Sequence, residues 1–192
     1  MSAKESPVSP PAQYVQSPVV EAHQLQDDGT IPNNPKLPLL IYQGAVKLNT
    51  QDGASIIEQL LEAHQWGGSW RNGIYPYVHY HSTAHEVLAV FSGSAKVQFG
   101  GKHGVSVTLH TGDVVIIPAG VAHKKLGSSQ SFAVVGAYPK GQEWDMCYGK
   151  TDERPEVDRN IASVALPAAD PIYGAQGPLL KYWGQSAPVG EP

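Results

Sequence analysis

Six of the chain's eight histidines fall between positions 79 and 123. The tightest group is His79-Tyr80-His81, followed by His85 and Glu86, with His123 placed after Pro118-Ala119-Gly120. In an extended segment, residues two apart point to one face with Cα atoms about 6.6–7 Å apart, so two such imidazoles can close on one ion. The pair alone is a weak signal, since strand-end histidines at this spacing are common without a metal. Its surroundings strengthen it. The four residues between His81 and Glu86 allow a tight turn, which returns the chain antiparallel beside the first segment. Three neutral imidazoles and a carboxylate would suit a divalent first-row ion such as Fe, Mn, Ni, Cu or Zn. With Cys147 as the single cysteine, a thiolate-type structural zinc site is excluded, and so is an intrachain disulfide.

The elements that would position these groups are short. In 192 residues there are 20 glycines and 16 prolines, which excludes a bundle of long helices. Strand-like runs at 74–81, 86–91, 94–99, 104–110, 113–117 and 131–138 are separated by Ser92-Gly93, Gly100-Gly101, Thr111-Gly112-Asp113 and Pro118-Ala119-Gly120. Short strands so closely spaced predict an antiparallel sandwich or barrel, all-β in class. The run Leu37–Leu48 reads as a further strand. One amphipathic helix is expected over about 55–66: Ile56, Ile57, Leu60 and Leu61 recur at helical spacing, Asp52 or Thr50 caps the start, and Gly67-Gly68 ends it.

Three regions follow: an N-terminal arm over 1–36, partly disordered and holding six prolines; a barrel over 37–138; and a C-terminal extension over 139–192. The extension carries a short helix candidate at about 153–164 and an apolar Leu179-Leu180-Lys181-Tyr182-Trp183 segment expected to pack on the barrel, with fraying beyond Gly184. A net charge of −4 offers no electrostatic footprint for nucleic acid or an anionic membrane. No apolar run approaches the roughly 20 residues of a bilayer span. Residues 1–22 lack the apolar stretch of a secretory signal, and a lone cysteine fits a reducing compartment, so the cytoplasm is the expected location.

The fixed spacings carry a resemblance. Gly73, five residues, His79-x-His81, four residues, Glu86, six residues, Gly93 is similar to the first cupin motif at every named position. Gly112, five residues, Pro118-x-Gly120, two residues, His123 is similar to the second, although Gly127 stands where that motif usually closes with Asn. The strings WRNGIYPYVHYHSTAHEVL, FGG, GDVVIIPAGVAHK and YPKGQEWDM resemble one subgroup of single-domain cupins, the YjlB-like proteins. The resemblance implies a jelly-roll barrel of the RmlC-like, double-stranded β-helix kind. It makes His79, His81, Glu86 and His123 the ligands of one divalent transition metal per subunit, and it implies a homodimer. It names no substrate and no reaction.

Several positions around that site stay open on the sequence alone. His85 could replace Glu86 as the fourth ligand, since the spacing after the histidine pair varies by one in cupins. Strand neighbours point to opposite faces, so both cannot ligate unless a bulge intervenes. Tyr77 and Lys125 share parity with His79 and His123, which makes them candidates for catalytic groups in the pocket; packing in the barrel and a solvated strand end are the competing readings. Trp70-Arg71 and Trp144-Asp145-Met146 either frame the barrel mouth or cover its edges, with core packing preferred for both tryptophans. The expected function is a metal-dependent enzyme acting on a small organic molecule, oxidative dioxygenase-type chemistry ranking narrowly ahead of decarboxylation and isomerisation. The alternative is a non-catalytic cupin that binds or carries a small molecule.

Overall fold

The computed structural model describes residues 12–49 and 52–184. In chain order its elements are β1 (Val19–His23), β2 (Leu39–Gln43), α1 (Gly53–Ala63), β3 (Trp66–Asn72), β4 (Glu86–Ser92), β5 (Ser94–Phe99), β6 (Val105–His110), β7 (Val114–Ile117), β8 (His123–Ser128), β9 (Ala133–Pro139), α2 (Glu156–Ser163) and α3 (Pro178–Trp183). The strands pair antiparallel into a six-stranded sheet, ordered β1-β2-β7-β4-β9-β3, and a three-stranded sheet, ordered β6-β5-β8.

Alternation along the strands sorts side chains into two cores. Leu39 and Ile41, Leu88 and Val90, Val115 and Ile117, and Val134 pack against Ala95, Val97, Phe99 and Leu109 between the sheets. The intervening residues Leu40, Tyr42, Val87, Ala89, Val114, Ile116, Val135 and Ala137 face the other way, onto Ile57, Leu60 and Leu61 of α1 and Leu179 and Trp183 of α3. Both faces of the larger sheet are therefore buried along its central strands β2, β7, β4 and β9. This is why those strands read as unbroken apolar runs and not as an apolar–polar alternation.

Helix α1 begins where the sequence places it, with the Asp52 carboxylate accepting from the Ser55 N–H at 3.3 Å. It ends sooner than expected. Gln65 takes a positive φ of 67°, and Trp66 already starts β3, so Gly67-Gly68 lie within a strand and not beyond a helix end. The pairing of β3 with β9 is irregular between Gly67 and Trp70.

Three other expectations change. The segment 74–81 is not a continuous strand: it pairs only through isolated bridges, His79 with His123 and Tyr80 with Cys147. Pro76 has no N–H to give to a ladder there. The polar run 123–128 forms β8, and Val19–His23 of the arm forms the edge strand β1 against β2. The C-terminal extension is tied down as well. Leu179 and Trp183 are buried, and the Trp183 indole donates to the Pro38 carbonyl at 2.9 Å. The Arg154 guanidinium bonds both Asp27 of the arm and Asp158 of α2. Expectations for residues 1–11, for Thr50 as a cap and for fraying beyond Gly184 lie outside the described residues.

Candidate metal centre

At one end of the barrel the two motif segments meet. The His79 N–H donates to the His123 carbonyl at 3.3 Å and the His123 N–H returns the bond at 2.9 Å. Glu86, the first residue of β4, pairs with Ile117 of β7, immediately before the turn that leads to His123. That turn is locked to the other segment by the Gly120 N–H, which donates to the His81 carbonyl at 2.8 Å. Only glycine serves at 120. Its φ is +94°, and a Cβ there would stand 2.3 Å from the Asn33 carbonyl oxygen.

Each of the three imidazoles has its Nδ1 committed. His79 donates to the Tyr77 carbonyl at 3.0 Å, His81 to the Asp145 carbonyl at 2.5 Å and His123 to the Val121 carbonyl at 3.4 Å. In the neutral state these protons leave every Nε2 as a lone pair. One ligand nitrogen from each ring lies within 4.8 Å of the other two. Glu86 Oε2 adjoins two of the three rings, 2.9 Å from His81 Nε2 and 3.6 Å from His123 Nε2. It is buried and accepts no hydrogen bond of ordinary geometry. Converging buried lone pairs beside an unsatisfied carboxylate oxygen are costly unless a cation lies among them. A divalent transition ion therefore fits the donor set, and the fixed Nδ1 protons are the orienting bonds such ligands require.

The protonation tendencies of the three rings differ. Burial holds His79 below the ordinary range, and burial with the neighbouring His79 and His81 pushes His123 well below it. For His81, burial acts downward, but the Glu86 charge and contact and the Asp145 carbonyl outweigh it, so the net direction is up. The Asp145 carboxylate braces the loop behind His81, accepting the Ser82 N–H at 2.6 Å, the Thr83 N–H at 3.3 Å, the Ser82 hydroxyl and the Cys147 thiol. These bonds hold its own carboxyl below the usual range against burial, while burial and this carboxylate push Cys147 up to about 12.

A cavity of about 280 Å³ opens over the cluster, bordered by His79, His81, Glu86 and His123 at its base. Tyr77 and Lys125 do not border it. Tyr77 is exposed, stacked on Tyr75 with centroids 4.8 Å apart, and serves the cluster through its carbonyl. Lys125, half-buried on β8, lies beside a register shift between β5 and β8 that alters simple strand parity.

His85 turns to the opposite side of β4 from Glu86, as alternation requires. It is fully buried against Trp183, with ring centroids 4.8 Å apart, and its Nδ1 accepts the Ala119 N–H at 2.9 Å. Burial lowers its pKa to about 4. It stands outside the histidine cluster and away from the surface.

Two groups were not singled out correctly by sequence. Trp70 and Trp144 both line the cavity; Trp70 also packs against the inter-sheet core as expected, whereas Trp144 is exposed and does not. Tyr138 lines it too, and strand parity could have found it, because Val134, Gly136 and Tyr138 share the inward face of β9. Gly136 makes room for the Trp70 ring: a Cβ there would sit 2.2 Å from it.

Comparison with known proteins agrees with this architecture. The cupin domain family model matches residues 71–128. The Bacillus subtilis (strain 168) protein named Uncharacterized protein YjlB is 48% identical over 157 residues, covering 82% of this chain and 92% of that one. The chain belongs to the cupin superfamily, as a protein with a single cupin domain. Within the superfamily it is a member of the YjlB-like group. Among solved structures it is similar to acireductone dioxygenase from Bacillus anthracis with a cadmium ion in its active centre, at 17% identity and a TM-score of 0.38, covering 50% of this chain and 64% of that one. It is also similar to the dTDP-6-deoxy-D-glucose-3,5-epimerase RmlC from Legionella pneumophila Philadelphia 1, at 18% identity and a TM-score of 0.37, covering 63% and 72%. No helix among the described residues is long and apolar enough to cross a membrane.

Proposed function

We propose that this chain is a metal-dependent enzyme that holds one divalent transition ion per subunit with His79, His81, Glu86 and His123 and acts on a small organic molecule. The observation that carries the reading is the convergence of three imidazoles, with the unsatisfied Glu86 Oε2 beside two of them, at the base of an open cavity. A closed structural site would have no cavity above it, whereas a catalytic one keeps room beside the ion for another ligand. When bound, such an ion supplies Lewis acidity or a redox centre. The chain's own residues fix the ligands through backbone carbonyls, keep them buried at the base of the cavity and surround the remaining space with aromatic rings. Three neutral imidazoles with one carboxylate suit Fe, Mn, Ni, Cu or Zn, and oxidative chemistry ranks narrowly ahead of decarboxylation or isomerisation in this reading. The buried, unpaired Cys147 is compatible with a reducing cytoplasm, and the family supports a homodimer.

The test couples elemental analysis to oxygen uptake across a panel of small enols, phenols and keto acids. Oxygen consumption that requires Fe, Mn, Ni or Cu is the expected result. A protein fully active with zinc alone would overturn the oxidative reading, and one that binds ligands without turnover under any metal would be a carrier.

A further inference from the structure

The cavity's walls differ from its base. Tyr75, Tyr138, Trp144, Ile74, Leu88 and Met146 supply rings and aliphatic surface. Tyr138 and Trp144 stack with planes 21° apart and centroids 6.1 Å apart, and the His81 ring meets both edge-on, at 6.0 and 5.5 Å. Arg71 borders the mouth, but its charge is already matched. Its Nε and Nη2 donate to the Glu58 carboxylate at 2.7 and 2.8 Å, and Nη2 also reaches Ser55 Oγ at 3.2 Å. No other lysine or arginine among the described residues lines the cavity, and Glu86 adds negative charge at its base.

One hydroxyl stands out on this apolar wall. Tyr138 is buried, and its oxygen accepts the Trp70 Nε1–H at 3.0 Å. Among the described residues nothing accepts the proton of the Tyr138 hydroxyl in return. The indole N–H occupies one lone pair of the phenolic oxygen, which restricts how the O–H can rotate. Trp70 is itself seated by the absence of a side chain at Gly136. A cavity-lining O–H with no protein acceptor is available to a ligand, and its natural complement is an oxygen on that ligand.

We propose that the cavity takes a small, flat, uncharged ring compound bearing a carbonyl or hydroxyl oxygen, and that Tyr138 donates its hydroxyl proton in a hydrogen bond to that oxygen. The ring packs against the Tyr138–Trp144 wall. Its place as a substrate rests on the metal-enzyme reading. Its binding does not, because the aromatic wall and the Tyr138 donor need no ion.

The experiment therefore uses the full-length protein stripped of metal, with acetophenone, α-methylstyrene and benzoate as probes followed by tryptophan fluorescence and calorimetry. Acetophenone and α-methylstyrene share a shape, but only the first has an acceptor. Tyr138→Phe is expected to weaken acetophenone by about fivefold, the loss of one neutral hydrogen bond, and to leave α-methylstyrene unchanged. Benzoate is expected to bind at least about tenfold more weakly than acetophenone, since its charge finds no free cation. Trp144 is 51% exposed, so Trp144→Ala should fold normally and weaken both neutral probes, which keeps the test decisive if Tyr138→Phe does not fold. Equal losses for the two neutral probes in Tyr138→Phe, a preference for benzoate, or unchanged binding in Trp144→Ala would overturn the proposal. Metal titration of the same preparations reads the metal site separately, so failure of one is not mistaken for failure of the other.

Discussion

Glu86 Oε2 lies 2.9 Å from His81 Nε2, although His81 already spends its Nδ1 proton on the Asp145 carbonyl. In the neutral ring both facing atoms carry lone pairs and neither has a proton to share. Two arrangements relieve this: a second proton on His81, or a cation bound by both. The raised pKa of His81 reflects the first, and a bound metal would be the second. The same pair of atoms thus links acid–base behaviour to metal binding.

That link predicts proton release. An ion needs the His81 Nε2 lone pair, so uptake must expel the proton that Glu86 stabilises there. His79 and His123, both lowered by burial, hold a proton less readily than a free imidazole and contribute less. Metal affinity should therefore rise with pH until it passes the raised pKa of His81, and fall steeply on the acid side. Calorimetry in buffers of different ionisation enthalpy should show released protons, fewer of them in Glu86→Gln. A buffer-independent heat near neutrality would contradict this.

The ligand set predicts a division among variants. His79→Ala, His81→Ala and His123→Ala should each lose most bound metal, and Glu86→Gln should bind more weakly because the carboxylate charge is gone. His85→Gln should keep full occupancy, since His85 faces Trp183 and the Ala119 N–H. Metal titration of the five proteins checks the pattern. Full occupancy in Glu86→Gln with loss in His85→Gln would reverse the assignment.

Asp145 is expected to matter without touching the ion. Its carboxylate holds Ser82, Thr83 and Cys147, and its carbonyl orients His81. Asp145→Ala keeps that carbonyl but frees the loop that positions it, and metal affinity should fall by about tenfold, as disturbing a ligand's orienting partner typically causes. Competition against a calibrated chelator measures it.

His85 predicts acid sensitivity of the fold. Its pKa is about 4 when folded, against roughly 6.5 in an unfolded chain. Between those values the unfolded state binds more protons. Stability is thus complete above pH 6.5 and is lost as pH falls toward 4, by about 3 kcal/mol in total. His85→Gln can still accept the Ala119 N–H but cannot titrate, so its urea midpoint should drop less between pH 7 and pH 5. Both proteins are compared free of metal, so that loss of the ion does not enter.

The site's base was legible in sequence because turns enforce its spacing. His79, His81, Glu86 and His123 are held by short connections whose lengths admit little variation. Its walls were not. Tyr138 follows the parity of Val134 and Gly136, but parity alone does not say which strand end opens into a cavity. Trp70 belongs to β3, whose Trp66–Asn72 run contains two glycines and reads as punctuation. The strand β8 was hidden by its polar composition, since HKKLGS keeps only its first residue buried. The segment 74–81 has the apolar texture of a strand, yet Pro76 and the demand to face both His123 and Cys147 leave it only bridges. Alternation at His79 and His81 survived because a single bridge on each side is enough to fix it.

Metal content of the purified protein tests the central claim most directly. Elemental analysis of wild type after dialysis is predicted to give close to one divalent transition ion per chain, and none in the variant carrying His79→Ala and His123→Ala together. Equal metal content in the two proteins, or none retained by wild type after reconstitution with Fe, Mn, Co, Ni, Cu and Zn in turn, would contradict the account.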